Sequence, residues 1–323
     1  MSFMRMFAKV MATTALVSAG SAAMAAKIAV IGGSNDDAFW NIIKKGIDDA
    51  KPGVVANGGE VTYLRLVNYD NFAPDVVQLI RTAISMEVDG LVIPNWVPEA
   101  EDPAIKDAMA AGIKIILMNA GGADKAKELG AINYVGSDEY VAGVAGGEYF
   151  GDGGQKNVLC INTLPGTANI EARCKGVIDG ITGKGGKGAQ LPLPSTSFGD
   201  ATAVAEAIKA ELLKDETIDG VITISAGDAD SAAIAVEQAG KAGATRLGSF
   251  DMNQAGLDRI KAGTQAFAID QQPYLQSYLA VSLLAAHIDF GTDLPVFPVL
   301  TGPGIVDASN IDATLAGVKL GAR

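Results

Sequence analysis

The chain has 323 residues, 49% of them hydrophobic, and a formal net charge of −12. That length allows enough buried core for two compact domains. The acidic balance, with no basic cluster, excludes a phosphate-neutralising nucleic-acid binder and leaves no polybasic stripe for an anionic membrane surface.

Residues 1–25 differ in composition from the rest of the chain. Arg5 and Lys9 precede an apolar run of small residues that ends at Ala23-Met24-Ala25. This is the expected layout of a secretory signal cleaved after Ala25. No cysteine follows the run, which argues against a lipid anchor. Loss of Arg5 and Lys9 moves the charge from −12 to −14.

From Lys27 onward, short β-rich runs alternate with longer helical patterns. KIAVIG, EVTYLRL, GLVIP and IKIILMN come first, with AFWNIIKKGIDDAK and APDVVQLIRTAISM as helices among them. NYVG, NVLCIN, GVITIS, TRLGSF and AFAID come next, among EYVAGVAGGEYFG, DATAVAEAIKAELLK, DADSAAIAVEQAGKAG and PYLQSYLAVSLLAAHI. The strands are apolar with little alternation, as when helices cover both faces. About nine strands are too many for one sheet of ordinary size. A break near NYVGSDEY predicts an α/β fold of two doubly wound parallel-sheet lobes. Ligands in such sheets lie beyond the carboxyl ends of the strands, so the two lobes would face a cleft. ITGKGGKGAQLPLPS and TGPGIVDASN, rich in Gly and Pro, read as loops. The first lacks Ser or Thr after Gly-Lys and IGGSND lacks Gly-x-Gly-x-x-Gly, so neither reads as a nucleotide loop, and no cofactor is expected.

The two cysteines, Cys160 in NVLCIN and Cys174 in the next helical pattern, are expected to form a disulfide in an oxidising compartment. Two buried free thiols are the alternative. The single histidine, His287, has no Cys or second His nearby, so no metal site is expected.

Polar residues gather after the strands. Asp36, Asp37, Phe39 and Trp40 come after the first. Asn95 and Trp96 come after GLVIP, and Asn119 ends IKIILMN. Asp138 and Glu139 come after NYVG, and Arg173 lies in the helix after NVLCIN. Asp228, Asp251 and Gln271 come after the later strands. Carboxylates accept from hydroxyls, Arg donates to ring or hydroxyl oxygens, and amides do both. Aromatic faces cover the C–H face of a sugar. The set points to a polyol or sugar site.

The ordered segments NDDAFWNIIKKGIDDA, AGIKIILMNAGG, YVGSDEYVAGVAGGEYF, GTANIEARCKGV, GSFDMNQAGLDRIKAG and AFAIDQQPYLQSYLAV carry a resemblance. Together they resemble the periplasmic sugar-binding proteins of the ribose-binding type, solute receptors of ABC importers. The resemblance covers essentially the whole chain after the leader. It implies two lobes joined by a three-segment hinge, with residues 26–135 plus 272–299 in one and 136–271 plus 300–323 in the other. It implies ligand contacts from Asp37, Phe39, Trp40, Asn119, Arg173, Asp251 and Gln271, with Phe198 as a second-lobe aromatic. Asn95, Glu139 and Asp228 join them from the strand-end pattern. It further implies a monomeric, non-enzymatic receptor in the periplasm that delivers a sugar, polyol or cyclitol to an ABC transporter permease, with a chemoreceptor as a second partner. Two departures stand out. Ala120 occupies a position where ribose receptors commonly carry arginine, and Gly227-Asp228 replaces a typical asparagine. Ribose is therefore not implied as the ligand. The related cytoplasmic repressors carry a DNA-binding segment where this chain has its leader. The competing reading is an exported glycosidase with Asp37 and Asp251 as its carboxylate pair.

Overall fold

The computed structural model describes residues 25–294 and 296–323; the expected leader, apart from Ala25, lies outside the described residues. The chain runs β1 (Lys27–Ser34), α1 (Phe39–Ala56), β2 (Glu60–Leu66), α2 (Phe72–Ser85), β3 (Gly90–Ile93), α3 (Pro98–Ala110), β4 (Lys114–Met118), α4 (Gly122–Leu129) and β5 (Asn133–Ser137). It continues through α5 (Glu139–Asp152), β6 (Asn157–Asn162), α6 (Ala168–Gly183), β7 (Lys187–Pro192), α7 (Ala201–Lys214), β8 (Gly220–Thr223), α8 (Ala226–Gln238), β9 (Arg246–Phe250), α9 (Gln254–Ala262) and β10 (Phe267–Asp270). It ends with α10 (Pro273–Phe290), β11 (Val299–Gly302), β12 (Gly304–Val306) and α11 (Ile311–Lys319).

Two six-stranded sheets result, in the orders β11-β5-β4-β3-β1-β2 and β12-β10-β9-β8-β6-β7. All pairings are parallel except β10 with β12. The chain passes between the sheets after β5, after β10 and after β11. β3, β4 and β8 carry no exposed residue between their second and last positions, as strands covered on both faces should.

The strand count exceeds the expected nine, and two of the extra strands lie in stretches read as loops. β7 occupies the end of ITGKGGKGAQLPLPS, and β12 occupies part of TGPGIVDASN. β7 is an edge strand paired only with β6, and its side chains are exposed or half-buried. An edge strand can carry Gly and a terminal Pro because one side of its backbone needs no ladder. β12 is three residues long, too short to show a period. β5 and β11 run to Ser137 and Gly302, two to three residues past the expected lobe limits of 135 and 299.

α5 and α6 touch backbone to backbone. A Cβ on Gly143 would collide with the Arg173 carbonyl, and one on Gly176 would collide with that of Tyr140. Only glycine permits this approach, and it brings the start of α5 against α6. Cys160 on β6 and Cys174 on α6 are joined as a disulfide, with Cα atoms 5.6 Å apart. The bridge fixes α6 to its sheet one residue from Arg173. Cross-links that close loops of about 15 residues contribute about 3 kcal/mol by restricting the unfolded chain. Reduction should therefore lower the melting temperature, as read in melts with and without reductant. Identical melts would refute a stabilising bridge.

Among the described residues, no helix is long and apolar enough to cross a membrane, and no group of three or more His, Cys, Asp or Glu is arranged to hold a metal ion. His287 lies late in α10, with its Nδ1 2.9 Å from the Thr292 carbonyl oxygen.

Candidate functional site

The carboxyl ends of both sheets face each other, and the gap between them holds two adjoining chambers. The inner one, about 50 Å³, is lined by Asp37, Trp40, Trp96, Asn119, Arg173 and Gln271 among others. The outer one, about 370 Å³, reaches Asp228 and the starts of α7 and α8. Asp37, Phe39, Phe198, Ser225 and Asp251 belong to both. The lobes touch around the inner chamber. Ala168 donates its N–H to the Trp96 carbonyl at 2.7 Å, and the Phe198 ring meets Tyr69 edge-on at 5.0 Å. These contacts close the lobes over the inner chamber, the arrangement that hinge-closing domains adopt around a ligand.

The first wall grows from the β1–α1 turn. Phe39 N–H donates to Asp37 Oδ1 at 3.0 Å, so Asp37, not the exposed Asp36, engages the start of α1. The Tyr69 hydroxyl donates to Asp37 Oδ2 at 2.8 Å, and Trp40 Nε1–H donates to that hydroxyl at 3.0 Å. Burial pushes the Asp37 carboxyl above its ordinary range; Tyr69, Phe39 and Arg65 partly restrain it. Trp40 packs edge-on between Phe39 and Trp96, at 5.1 and 5.4 Å. Phe72 closes the aromatic wall against Trp96 and Tyr69. The Trp96 turn is held by buried Glu101, which accepts from the Trp96 and Val97 N–H groups at 2.8 and 3.1 Å. Burial pushes Glu101 up to about 8.

The second wall centres on Arg173, 3% exposed. Its Nε donates to Glu139 Oε2 at 2.6 Å and its Nη1 to the Ile224 carbonyl at 3.0 Å. The guanidinium lies 4.6 Å from the centre of the Phe250 ring. Nη2 takes no part in these bonds. Burial alone would lower the Arg173 pKa; Glu139 and Asp251 outweigh it and raise it.

Amides link the walls. Asn119 Nδ2 donates to Gln271 Oε1 at 3.1 Å, and Gln276 Nε2 donates to the same oxygen at 3.1 Å. This fixes the Gln271 amide so that its Nε2 donates to Asp251 Oδ1 at 2.7 Å. Asn119 and Asp251 each directly follow a strand, β4 and β9, with left-handed backbone at φ of 66° and 63°. Such strained single residues cluster at functional sites. Burial pushes Asp251 up to about 7; Arg173 and Gln271 pull against it, while Asp37 and Glu139 add to it.

Of the eleven expected ligand contacts, eight line the inner chamber: Asp37, Phe39, Trp40, Asn119, Arg173, Phe198, Asp251 and Gln271. Asp228 lines the outer one. Asn95 is fully buried behind Trp96 and donates to Asp102 at 2.7 Å, so it supports the wall instead. Glu139 faces a separate cavity of about 290 Å³ and reaches the cleft only through Arg173. Tyr69, Thr167 and Asn169 also line the inner chamber. Tyr69 follows EVTYLRL, a strand end from which the sequence reading takes no residue, although the same rule applies there.

The pH dependence of Asp251 has a definite sign. Its carboxyl, ordinarily near 3.8, is raised in the folded protein to about 7. Its contribution to stability is therefore full below about 4 and lost as the pH rises through about 7. A ligand whose hydroxyls donate to the carboxylate favours its ionised form. The ligand-induced rise in melting temperature should be larger at pH 8 than at pH 5. A larger shift at pH 5 would count against hydroxyl donation to Asp251.

A family model described as a periplasmic binding protein domain matches residues 28–293. A carbohydrate transporter from Acidothermus cellulolyticus 11B, solved with myo-inositol, is 35% identical, with a TM-score of 0.83 over 92% of this chain and 99% of that one. The xylose/arabinose-binding protein XylF of Sulfolobus acidocaldarius is 27% identical over 261 residues, 74% of this chain and 62% of the relative. The glucose-galactose binding protein GanP of Geobacillus stearothermophilus, 22% identical with a TM-score of 0.77 over 88% of this chain and 98% of its own, shares the fold. The match along both lobes and across the cleft between them places this chain in the periplasmic binding protein domain family.

Proposed function

We propose that the protein is a non-enzymatic, exported receptor that captures a monosaccharide, polyol or cyclitol and delivers it to an ABC transporter permease. The observation that carries this reading is the inner chamber itself. One wall gives the aromatic faces of Phe39, Trp40 and Trp96 together with the Asp37 carboxylate, and Arg173, Asp251 and the oriented amides complete the lining. That combination suits a ring with C–H faces and hydroxyl edges. The named ligands of the relatives above belong to the same chemical class. The lobes are proposed to pivot on the three crossings near residues 138, 271 and 303, with a cleaved leader at residues 1–25.

Thermal shift over monosaccharides, polyols and cyclitols tests the reading, because a ligand that binds only the folded state raises the melting temperature. A rise with a cyclitol or monosaccharide supports it. No rise with any member of the panel refutes it. In the glycosidase alternative, Asp37 would have to act as an acid or nucleophile. Its two oxygens accept from Phe39 and Tyr69, which holds the carboxylate as an oriented acceptor for ligand hydroxyls. On the receptor reading aryl glycosides should be left intact, and turnover abolished by Asp251→Asn would overturn it.

A further inference from the structure

The charges of the two chambers do not balance. Asp37, Asp228 and Asp251 line them, with Arg173 in the inner wall and Arg323 in the outer one. Arg173 is already matched by Glu139 at 2.6 Å. Arg65, the next cation, directs its guanidinium to the Gly33 and Ser34 carbonyls and to Asn41. Arg323, at the outer rim, pairs with Asp270 at 3.2 Å, and Arg259 pairs with Asp230 at 2.7 Å. Asp36 and Asp200 add acidity to the outer chamber.

Asp228 is the telling member. It is only 4% exposed, and Thr163 donates a hydroxyl to its Oδ2 at 2.9 Å. No cation pairs with it among the described residues. It lies in the first turn of α8, whose positive end offsets part of the cost of burying its charge, and no cationic side chain offsets the rest. A neutral ring supplies hydroxyl donors but leaves the excess charge in place. An ammonium supplies up to three donors and cancels one carboxylate. A uronate or sugar phosphate would add charge of the wrong sign.

We propose that the preferred ligand is a polyol ring carrying a protonated primary amine, an amino sugar or aminocyclitol, with the ring in the inner chamber and the ammonium in the outer chamber beside Asp228. This rests on the sugar-receptor reading and narrows it. Asp37, Phe39, Phe198, Ser225 and Asp251 line both chambers, so the two adjoin at these side chains, and a substituent on a ring held in the inner one points toward the outer one.

Calorimetry on the purified protein tests this with matched pairs: scyllo-inositol with scyllo-inosamine, glucose with glucosamine, galactose with galactosamine, plus glucuronate and galacturonate. In at least one pair the amine should bind roughly tenfold tighter or better than its parent, the effect of one charge-assisted bond, and the uronates should bind most weakly. In Asp228→Asn the ratio of amine to parent affinity should fall toward one. Amines that bind no tighter than their parents, or a ratio unchanged in Asp228→Asn, would overturn the proposal while leaving the receptor reading intact. If neither parents nor amines bind, both readings fail.

Discussion

Arg173→Ala should cost the fold about 3–5 kcal/mol and abolish measurable ligand binding. The magnitude reflects the charge that the substitution leaves behind. Glu139 is 7% exposed, and its Oε1 has no hydrogen-bond partner. Its Oε2 is held by Arg173. Burial already pushes its carboxyl upward, and Arg173 is the group that holds it back. Breaking a buried pair from one side strands a charge, which is far more damaging than replacing both partners.

That asymmetry separates the structural role from the binding role. The double variant Arg173→Met with Glu139→Gln should recover most of the lost stability in urea titration, because no buried charge remains. It should not recover ligand affinity in calorimetry, because the guanidinium that faces the inner chamber is still missing. If the double variant bound ligand as the parent does, Arg173 would be a scaffold residue only. If the single variant were as stable as the parent, the Glu139 pair would not support the wall.

Glu139 also shows where reading the sequence succeeds and where it stops. The alternation of apolar strands with helices is enough to reveal two doubly wound lobes, because a strand covered on both faces must be apolar throughout. The same rule misses β7 and β12, whose residues lie at an edge or in too short a run to show a period. The strand-end rule collects Asp37, Asn119 and Asp251 because the chain leaves each strand into the cleft. It includes Asn95 although the next residue, Trp96, takes the cleft side and Asn95 turns back to Asp102. Gln276 lies near the start of the apolar helix α10, past the polar residues that directly follow β10. Its partner Asn119 is 157 residues earlier, and no local pattern signals a pair so distant. Sequence spacing places residues at an end of a sheet; side-chain direction decides which of them face the ligand.

Asp251→Asn should weaken ligand binding by roughly tenfold to a hundredfold, as loss of a charge-assisted acceptor does, with the fold intact. Asparagine suits the site better than alanine for a backbone reason. Asp251 has a φ of 63°, and its N–H donates to the Ile269 carbonyl at 2.9 Å. Asn is among the side chains that adopt this conformation readily, whereas Ala would add roughly 1–2 kcal/mol of strain. The amide network then decides how the new side chain sits. Gln271 Oε1 is pinned by Asn119 and Gln276, so its Nε2 keeps pointing at residue 251. The introduced asparagine must offer its oxygen there and turn its NH2 toward the ligand. An acceptor for hydroxyls becomes a donor, and the charge attracting them is lost. The difference in ligand-induced stabilisation between pH 8 and pH 5 should shrink with it, because the titrating group is gone. Calorimetry and melts at the two pH values read both effects. Unchanged affinity in Asp251→Asn would remove this residue from the site, and an unchanged pH difference would assign the titration to Asp37 or Asp228 instead.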